Sequence, residues 1–486
     1  MKILPYFPGF ALLFSVLFAE VAQAQGPTLD PTFALTSAVG NTAPTFPQII
    51  DMVQQPDGNL IVAGNFRSIN NVPALNVCRL LADGQVDVSY VAAVADDQVE
   101  DIALQSDGKL LIAGRFANVG GQLRPGLARL LANGALDPGF VPPFGITPGF
   151  TSFVRKIVLE SGIGILILGT LIPSGTGSGV LSLVRLTEAT GALDPTFQPG
   201  FTTFGTGDAL VQPGGRLVFA GNPHLIGGQQ CVVWATLPNG AIDPAFVPLP
   251  ASATYRNGAA LMPDPATNNF YVQAAFGRGL GAEPVRLLPN GAVDASFNPT
   301  GAFGSAPRYS DYESLAVQPN GRLLLGGDFD LGNGAYAGSW RLLPSGARDF
   351  SYQAANGPGS GVRSVLVQAD GALVFGGYFS QAAGFGLNCL ARMRDPNVLA
   401  TGQPPAEAST LAWPVPAHDV LHLRLSAPGG PVRLTLLDAL GRVARQQDAA
   451  AGQTAATLPT AGLPPGVYLL RVAYPSGPVL RRVVLE

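Results

Sequence analysis

The chain has 486 residues, of which 47% are hydrophobic and only 12% are charged, with 61 Gly and 43 Pro. The hydrophobic share is too high for a disordered chain. A net charge of −4 argues against nucleic-acid binding, which usually needs a basic face. Abundant Gly and Pro with few charges is typical of many tight turns between buried strands.

The first 24 residues have the pattern of an export signal. Lys2 supplies the positive start, an apolar run covers 9–18, and a small-residue cleavage pattern ends at Ala24. We therefore expect residues 1–24 to be removed, leaving Gln25 first. A membrane anchor is the alternative, but it needs about 20 apolar residues, and Glu20 interrupts this run. No later stretch is long enough, so we expect no transmembrane segment in the mature chain.

One unit recurs seven times between Pro47 and Ala400. The residue that closes its first turn recurs every 50 to 54 positions, at Gly58, Gly108, Gly162, Gly215, Asn268, Gly321 and Gly371. In the first unit, apolar runs separated by Asp-Gly turns predict four strands: Gln48–Gln54, Asn59–Phe66, Asn76–Ala82 and Gln85–Tyr90. Copies at a period above 40 residues, built from such strands, predict propeller blades.

The ends of the repeat array suggest how it closes. Six units finish with an Asp–x–x–aromatic segment that the seventh lacks, and an extra copy stands at Leu29, Asp30 and Phe33. We expect this copy to complete the seventh blade, because a closed ring removes two exposed sheet edges. The sequence thus predicts an all-β, seven-bladed β-propeller over residues 25–395, closed by its N-terminal strand.

The repeat resembles the delta-60 repeat of bacterial extracellular proteins, a β-propeller family of unknown function. The shared pattern is Val-x-x-Ile-x-x-Gln-Pro-Asp-Gly-x-Leu, followed by Arg-Leu-x-x-Asp-Gly-x-Leu-Asp-x-x-Phe, and it covers residues 29–400. The resemblance implies a propeller and carries no catalytic residues.

A linker, 396–410, precedes a C-terminal module, 411–486. Short alternating strands predict a small Ig-like β-sandwich there. The module resembles the type A C-terminal sorting domain of type IX secretion substrates at Pro414, Pro416, Ala417, Gly441, Arg442, Gly466 and Tyr468. The resemblance implies transport by the type IX secretion machinery across the outer membrane of a Gram-negative bacterium, then release or attachment at the cell surface. An Ig-like adhesion domain is the alternative.

The sequence offers little catalytic chemistry. His224 is the single His of the propeller, no Gly-x-Ser-x-Gly elbow occurs, and no dinucleotide or zinc-protease motif is complete. We therefore predict no catalytic residue and no cofactor. Cys78, Cys231 and Cys389 lie on apolar strands and are expected to be buried core thiols.

Four acidic residues, Asp51, Asp97, Glu100 and Asp101, are candidates for a cation site at one mouth of the channel, because oxygen clusters can hold Ca²⁺. The positions equivalent to Asp101 are mixed in charge, so solvated mouth residues are the alternative and no metal is predicted. Separately, an Arg recurs on the third strand and an Asp on the fourth. We expect Arg–Asp pairs that fix blade registry, rather than an anion-binding ring.

The leading functional hypothesis is a non-enzymatic, monomeric, secreted or cell-surface scaffold that binds an extracellular glycan or protein. Loops on a rigid scaffold usually carry binding, and the candidates are Arg67–Leu75, Ala117–Gly126 and Phe329–Gly338. The alternative is an extracellular hydrolase or lyase that uses the acidic channel mouth, because propellers host both classes. A purely structural envelope component is the third possibility.

Overall fold

The computed structural model of the chain describes residues 27–34, 38–39, 47–147, 150–160, 162–174, 180–199, 206–252, 260–264, 267–273, 283–300, 302, 310–331, 336–352, 357–387, 389–395, 411–413, 417–425, 432–438, 443–450, 452–474 and 477–486. These residues form strands, bridges and turns, and none of them is helical. Accordingly, no described helix has the length and apolarity to cross a membrane. The protein is all-β over these ranges.

Thirty-seven strands are numbered in chain order. The first twelve are β1 (Thr28–Leu29), β2 (Ala38–Val39), β3 (Gln48–Gln54), β4 (Leu60–Asn65), β5 (Ser68–Ile69), β6 (Val72–Pro73), β7 (Val77–Leu80), β8 (Val99–Leu104), β9 (Leu110–Gly114), β10 (Asn118–Val119), β11 (Gln122–Leu123) and β12 (Leu127–Leu130). The next twelve are β13 (Ile146–Thr147), β14 (Phe150–Thr151), β15 (Phe153–Glu160), β16 (Gly164–Leu171), β17 (Leu181–Leu186), β18 (Thr206–Val211), β19 (Leu217–Ile226), β20 (Gln229–Thr236), β21 (Leu249–Pro250), β22 (Leu261–Pro263), β23 (Phe270–Gln273) and β24 (Pro284–Leu287). The remainder are β25 (Ser310–Val317), β26 (Leu323–Asp330), β27 (Tyr336–Leu342), β28 (Val362–Val367), β29 (Leu373–Gly377), β30 (Leu390–Arg394), β31 (Leu411–Trp413), β32 (Val420–Arg424), β33 (Val432–Leu437), β34 (Val443–Ala449), β35 (Ala455–Pro459), β36 (Gly466–Tyr474) and β37 (Gly477–Leu485).

Each repeat forms one antiparallel sheet, and the seven are called sheets 1 to 7 in chain order. Their strand orders are β3-β4-β7, β8-β9-β12, β15-β16-β17, β18-β19-β20-β21, β22-β23-β24, β25-β26-β27 and β28-β29-β30-β1. The last of these includes the N-terminal strand, so residues from both ends of the repeat array share one sheet. Short hairpins outside these sheets pair β5 with β6, β10 with β11 and β13 with β14.

The second strand of each sheet is apolar because it is covered on both faces. In sheet 1, residues 60–64 of β4 are all buried. The turn before it is an Asp-Gly turn in which Gly58 has φ 90° and Asp57 accepts a hydrogen bond from the Asn59 N–H at 3.0 Å. At the far end of β4, a Cβ on Gly64 would lie 2.1 Å from the Gln48 carbonyl oxygen. Glycine there permits the close backbone approach that the sequence predicts.

A β-bulge recurs near the start of the first strand of six sheets, after one to three paired residues. The register shifts fall between Ile49 and Asp51, Val99 and Asp101, Val154 and Lys156, Thr206 and Asp208, Tyr312 and Ser314, and Val362 and Ser364. A bulge re-aims the side chain beside it. The residue after each bulge therefore occupies the same position in each of these six sheets.

The predicted fourth strands are wrong. In units one to six this segment makes only a single bridge to the third strand, such as Leu80 to Val86, and then turns. The Asp of the segment is the cause, because its Oδ1 accepts the N–H of the residue two positions on, as in the 2.9 Å bond from the Ser89 N–H to Asp87. An Asx turn of this kind ends the strand after one residue.

Apolar cores lie between neighbouring sheets. One cluster joins Ile61 of sheet 1 to Ile112 of sheet 2, and another joins Val374 of sheet 7 to Val62 of sheet 1. The first strands contact one another in the order β3, β8, β15, β18, β22, β25 and β28, and β28 in turn contacts β3.

The C-terminal module contains two antiparallel sheets, β31-β32-β35 and β34-β33-β36-β37. Alternate residues of both sheets, including Leu421, Leu434, Leu458 and Leu470, are buried in one shared cluster. The period-two alternation that the sequence shows is therefore the inward face of a two-sheet core. Residues 396–410, assigned to the linker, lie outside the described residues.

Candidate functional site

The first strands of the seven sheets line a central channel with a cavity volume of about 390 Å³. Its wall includes the residue that follows each bulge, which is Asp51, Asp101, Lys156, Asp208, Ser314 and Ser364 in the sheets where the bulge is described. Residues that precede these positions, including Glu100, Arg155 and Arg363, also line it. The channel thus presents both signs of charge on a rigid wall.

The channel carboxylates join each sheet to the next. Asp51 accepts the Ile102 N–H at 3.0 Å, and Asp101 accepts the Ile157 N–H at 2.7 Å. Asp208 accepts the Leu261 N–H at 2.9 Å. These N–H groups lie on the channel side of the next first strand, where no ladder partner exists. The carboxylates therefore satisfy buried backbone donors, which is a structural use of their oxygen atoms.

Lys156 lies among these carboxylates. Its Nζ is 2.9 Å from Oδ1 of Asp101. Burial lowers the pKa of Lys156, but the negative charges of Asp101, Asp208 and Asp51 raise it by more, so the net shift of the pKa is upward. Burial raises the pKa of Asp101 to about 7, Lys156 opposes this rise, and the charge of Asp51 adds to it. Burial also raises the pKa of Asp51 and Asp208. The channel cluster therefore combines a protonated Lys156 with carboxyl groups that ionise at a higher pH than usual.

The four acidic candidates do not converge on one point. Asp51, Glu100 and Asp101 line the channel, whereas Asp97 is exposed and binds the N–H of Gln98 at 2.7 Å. Glu100 accepts hydrogen bonds from Arg115 at 2.9 Å and from the Gln98 amide. Across the described ranges, no group of three or more His, Cys, Asp or Glu side chains is placed to hold a metal ion. The oxygen atoms of Asp51 and Asp101 are already used by N–H groups and by Lys156.

A second repeated arrangement lies at the outer part of each sheet, where an Arg Nε pairs with an Asp Oδ2 at 2.6–2.9 Å. The seven pairs are Arg79–Asp87, Arg129–Asp137, Arg185–Asp194, Arg216–Asp243, Arg286–Asp294, Arg341–Asp349 and Arg392–Asp30. Each guanidinium also covers an aromatic ring at 4.5–5.9 Å, a cation–π contact. The expected Arg–Asp pairing is confirmed.

Sequence reasoning missed one member of this set. Ala235 interrupts the Arg column in unit four, and Arg216, at the start of the neighbouring strand, supplies the missing guanidinium to Asp243 at 2.6 Å. The sequence could have indicated this replacement, because unit four lacks the third-strand Arg and has an Arg one residue before β19.

The same guanidinium groups reach into the next unit. In six units, Nη1 of the Arg donates to a backbone carbonyl of the next unit, and in unit six it donates to the Asp395 carboxylate. Taken in chain order, the acceptors are Ala132, Glu188, Pro238, Pro289, Pro344, Asp395 and Ala82. Each arginine thus fixes the end of its own sheet and the turn of the following one. The last contact runs from Arg392 of unit seven to Ala82 of unit one.

The residues assigned to ring closure lie on sheet 7. Leu29 of β1 is paired with Met393 of β30. Asp30 is 2% exposed and accepts hydrogen bonds from Arg392 at 2.9 Å and Arg394 at 2.8 Å. The Phe33 ring lies under the Arg392 guanidinium at 4.6 Å.

The sorting-motif residues lie partly within the described ranges. Ala417 is buried and donates its N–H to the Val484 carbonyl at 2.9 Å. The Tyr468 hydroxyl donates to the Pro464 carbonyl at 2.9 Å, and Gly466 begins β36. Pro414, Pro416, Gly441 and Arg442, like the signal residues Ala24 and Gln25, lie outside the described residues.

The remaining candidates have structural surroundings. Cys78, Cys231 and Cys389 are free and buried, as expected, and burial raises the pKa of Cys78 and Cys389 to about 12. His224 stacks on Trp234 at 5.3 Å. Burial lowers the pKa of His224, so this imidazole is a neutral packing group near pH 7.

A larger cavity, of about 670 Å³, lies between sheets 2 and 3 and is lined by Asp107, Lys109 and Arg129. Its two cations are engaged: Lys109 pairs with Asp107 at 3.0 Å, and Arg129 pairs with Asp137 at 2.9 Å. The central channel, in contrast, offers Arg155 as an exposed cation. We therefore take the channel as the candidate site.

Comparison with known proteins gives two family matches. Residues 55–90 and 105–140 match the family described as "Domain of unknown function (DUF5122) beta-propeller". Residues 411–486 match the "Secretion system C-terminal sorting domain". No curated protein matches the sequence.

Solved structures with a similar fold are distant in sequence. The extracellular domain of BT4673 from B. thetaiotaomicron is 11% identical, with a TM-score of 0.42, over 93% of this chain and 58% of that one. PorZ, a surface component of the type-IX secretion system of Porphyromonas gingivalis, is 12% identical, with a TM-score of 0.35, over 90% and 66%. A fungal alcohol oxidase of the AA5 family is 14% identical, with a TM-score of 0.48, over 92% and 100%. The chain thus spans about three fifths of the length of that extracellular domain.

The two family matches fall where the sequence places the first two repeats and the C-terminal module. The chain therefore carries DUF5122 beta-propeller repeats and a secretion system C-terminal sorting domain, and it is a secreted or cell-surface protein.

Proposed function

We propose that this protein is a non-enzymatic binding scaffold, built as a closed seven-bladed propeller with an Ig-like sandwich behind it and exported by the type IX secretion machinery. Closure is supported above all by the circular run of arginine contacts, in which Arg392 of unit seven donates to Ala82 of unit one at 2.7 Å. Closure leaves no uncovered sheet face at either end of the repeat array, which favours a monomeric scaffold.

The proposed ligand site is the mouth of the central channel. A volume of about 390 Å³ is within the usual range for small-ligand sites. The wall combines Glu100, Arg155 and Arg363 with the hydroxyls of Ser314 and Ser364, which suits a polar ligand rich in hydroxyl groups. A glycan end is therefore the favoured ligand class.

A glycan array probed with the mature full-length protein tests this assignment. Arg155→Gln removes an exposed channel cation whose side chain has no hydrogen bond or ion pair among the described residues, and it should abolish array binding. Asp97→Ala, an exposed residue outside the channel wall, is the matched control and should bind as the parent does. Absence of any glycan signal, or equal signals from both variants, would contradict the assignment.

One observation favours an enzymatic alternative. A carboxyl group with a pKa near 7, as burial gives Asp101, is suited to general acid–base work, and the group faces the channel beside Lys156. Both oxygens of Asp101 are hydrogen-bonded, which favours the structural role. Turnover of an array-positive glycan by the parent, lost in Asp101→Asn while binding persists, would establish the hydrolase or lyase instead.

Export is tested separately. Deletion of residues 411–486 should retain the protein inside the outer membrane, because the sorting module is the part that the machinery recognises. Unchanged delivery of the truncated chain to the medium or surface would contradict the assigned route.

A further inference from the structure

A third cavity, of about 310 Å³, lies away from the channel, beside the outer strand of sheet 1. Its wall includes Val77 of β7 and the segment that carries Val88, Val91 and Val94. These last three side chains are 75%, 74% and 48% exposed. Contiguous exposed apolar groups commonly mark an interaction site.

A residue with a buried hydroxyl also lines this cavity. Tyr90 lines the wall and is 7% exposed, and among the described residues its hydroxyl has no hydrogen-bond partner. Burial raises its pKa to about 12, so the group is a neutral donor. A buried polar group without a partner costs free energy, and a ligand that supplied a partner would recover it.

Other repeats show that the hydroxyl is not needed for folding. The equivalent residue is Phe in Phe140, Phe197, Phe246 and Phe297. Sheet 6 also has a tyrosine there, Tyr352, but its hydroxyl lies 2.6 Å from Ser339 Oγ. Ser339 pairs with Gly326 in the ladder of sheet 6, and Val77 pairs with Ala63 at the equivalent place in sheet 1. Sheet 1 therefore has a valine where sheet 6 has the serine that bonds to the tyrosine hydroxyl.

The neighbouring backbone edge is partly open. β7 is the last strand of sheet 1, and its hydrogen bonds alternate, so the groups of Val77 and Arg79 point away from β4. The Val77 N–H donates to the Leu75 carbonyl at 2.8 Å, so the edge offers the Val77 carbonyl to a partner. The Asp87 N–H donates to the Arg79 carbonyl at 2.9 Å. No described strand pairs with the outer edge of β7 at Val77.

Sheet 4 shows what fits such an edge. There, Leu249 of β21 pairs with Val233 of β20. Val233 is equivalent to Val77, because each stands opposite the alanine that precedes the glycine near the end of the second strand. Leu249 is 4% exposed and packs with Phe246. An extended segment with one inward leucine thus completes the sheet.

We propose that the cavity beside sheet 1 is a docking site for an extended, aliphatic peptide segment of a partner protein. The segment adds a strand to β7, a recognised mode of peptide binding. Its aliphatic side chain enters between Val88 and Val94, and its backbone accepts a hydrogen bond from the Tyr90 hydroxyl. Arg67 also lines the cavity, while Asp87 is held by Arg79, so an acidic residue in the segment is favoured over a basic one.

Photo-crosslinking on the mature full-length protein tests the proposal. The probe is a synthetic peptide with the sequence of residues 245–252, carrying photo-leucine at the Leu249 position. We expect mass spectrometry to place the cross-links within residues 77–94. Val91→Asp should abolish labelling, whereas Val141→Asp, which alters an exposed valine outside the cavity, should leave it unchanged.

Tyr90→Phe tests the hydrogen bond without disturbing the fold, because Phe occupies this position in four other units. It should lower the peptide affinity about fivefold, the value of one neutral hydrogen bond, while the melting temperature of the free protein stays the same or rises, because the unpartnered hydroxyl is gone. Absent labelling, labelling scattered over the surface, or labelling that survives Val91→Asp would overturn the docking site. Equal affinity of the Tyr90→Phe variant would overturn the hydrogen bond. The channel proposal is unaffected by either result, since the two sites share no residue.

Discussion

Nη1 of Arg392 lies 2.7 Å from the carbonyl oxygen of Ala82, 310 positions earlier in the chain. The same side chain binds Asp30 through Nε and covers Phe33. One arginine therefore holds the N-terminal segment, the last sheet and the first sheet together. Six other arginines repeat the arrangement between consecutive units, which makes this contact the one that joins the two ends of the array.

Asp30→Ala should destabilise the repeat domain by about 3 kcal/mol, because it leaves Arg392, whose side chain is 9% exposed, without its buried partner. Chemical denaturation followed by intrinsic fluorescence measures the change. Asp370→Ala is the control, since it removes an exposed partner of Arg394 and should cost less than about 1 kcal/mol. Equal losses in the two variants would contradict the closing role of Asp30.

Acid should weaken this closure over a defined pH range. Burial opposes the ionisation of Asp30, but hydrogen bonds from Thr32 and the charges of Arg392 and Arg394 lower its pKa to about 2. Because this value lies below that of an unfolded Asp, near 4, the stabilisation is complete above pH 4 and is lost between pH 4 and 2. The stability difference between the parent and Asp30→Asn should shrink over that range in denaturation experiments. A difference independent of pH would count against the pair.

The substitution of Arg216 for a third-strand arginine predicts a rescue. Arg216→Asn, which installs the residue found at the equivalent position of unit one, should cost about 2–3 kcal/mol by leaving Asp243 unpaired. Adding Ala235→Arg restores the arrangement of the other six units, and it should recover most of that loss. Melting temperatures of the parent, the single variant and the double variant test this. A double variant less stable than Arg216→Asn would show that the two positions are not interchangeable.

The channel should show the opposite pH dependence. Burial raises the pKa of Asp101 to about 7, so the folded chain holds a proton between pH 4 and 7 that the unfolded chain releases. This contribution to stability is complete below pH 4 and is lost between pH 4 and 7. The free energy of unfolding of Asp101→Asn, relative to the parent, should therefore rise between pH 4 and 7. A relative stability that stays flat or falls over this interval would refute the buried, protonated state.

Much of the repeat follows from local sequence chemistry, and the exceptions have physical causes. Turns such as Asp57-Gly58 need positive φ, and covered strands such as Leu60–Asn65 need continuous apolar residues, so the first three strands of a unit are predictable. The segment Val86–Tyr90 has the alternation of a strand, but the Asp87 side chain binds the Ser89 N–H and ends it. A side-chain hydrogen bond of that kind is not visible in a hydrophobicity pattern.

The site was predicted less completely than the fold. Sequence position placed Asp51 and Asp101 near the channel, but not the N–H groups of Ile102 and Ile157 that their oxygens accept, because those contacts join strands of different sheets. The unpartnered hydroxyl of Tyr90 was also out of reach. Its equivalent in sheet 6 bonds to Ser339, and the equivalent ladder position in sheet 1 is Val77.

Ring closure is tested most directly by a disulfide across the proposed seam. Thr28 and Arg394 are directly opposite in the register of β1 and β30, at a Cα separation that a disulfide can span, and the native cysteines are buried. Mild oxidation of Thr28→Cys/Arg394→Cys should give one intramolecular bond and faster migration on a non-reducing gel. The control Thr28→Cys/Asn133→Cys, with an exposed partner on sheet 2, should stay reduced. A failure of the first pair to cross-link, or equal yields from the two pairs, would contradict a closed propeller.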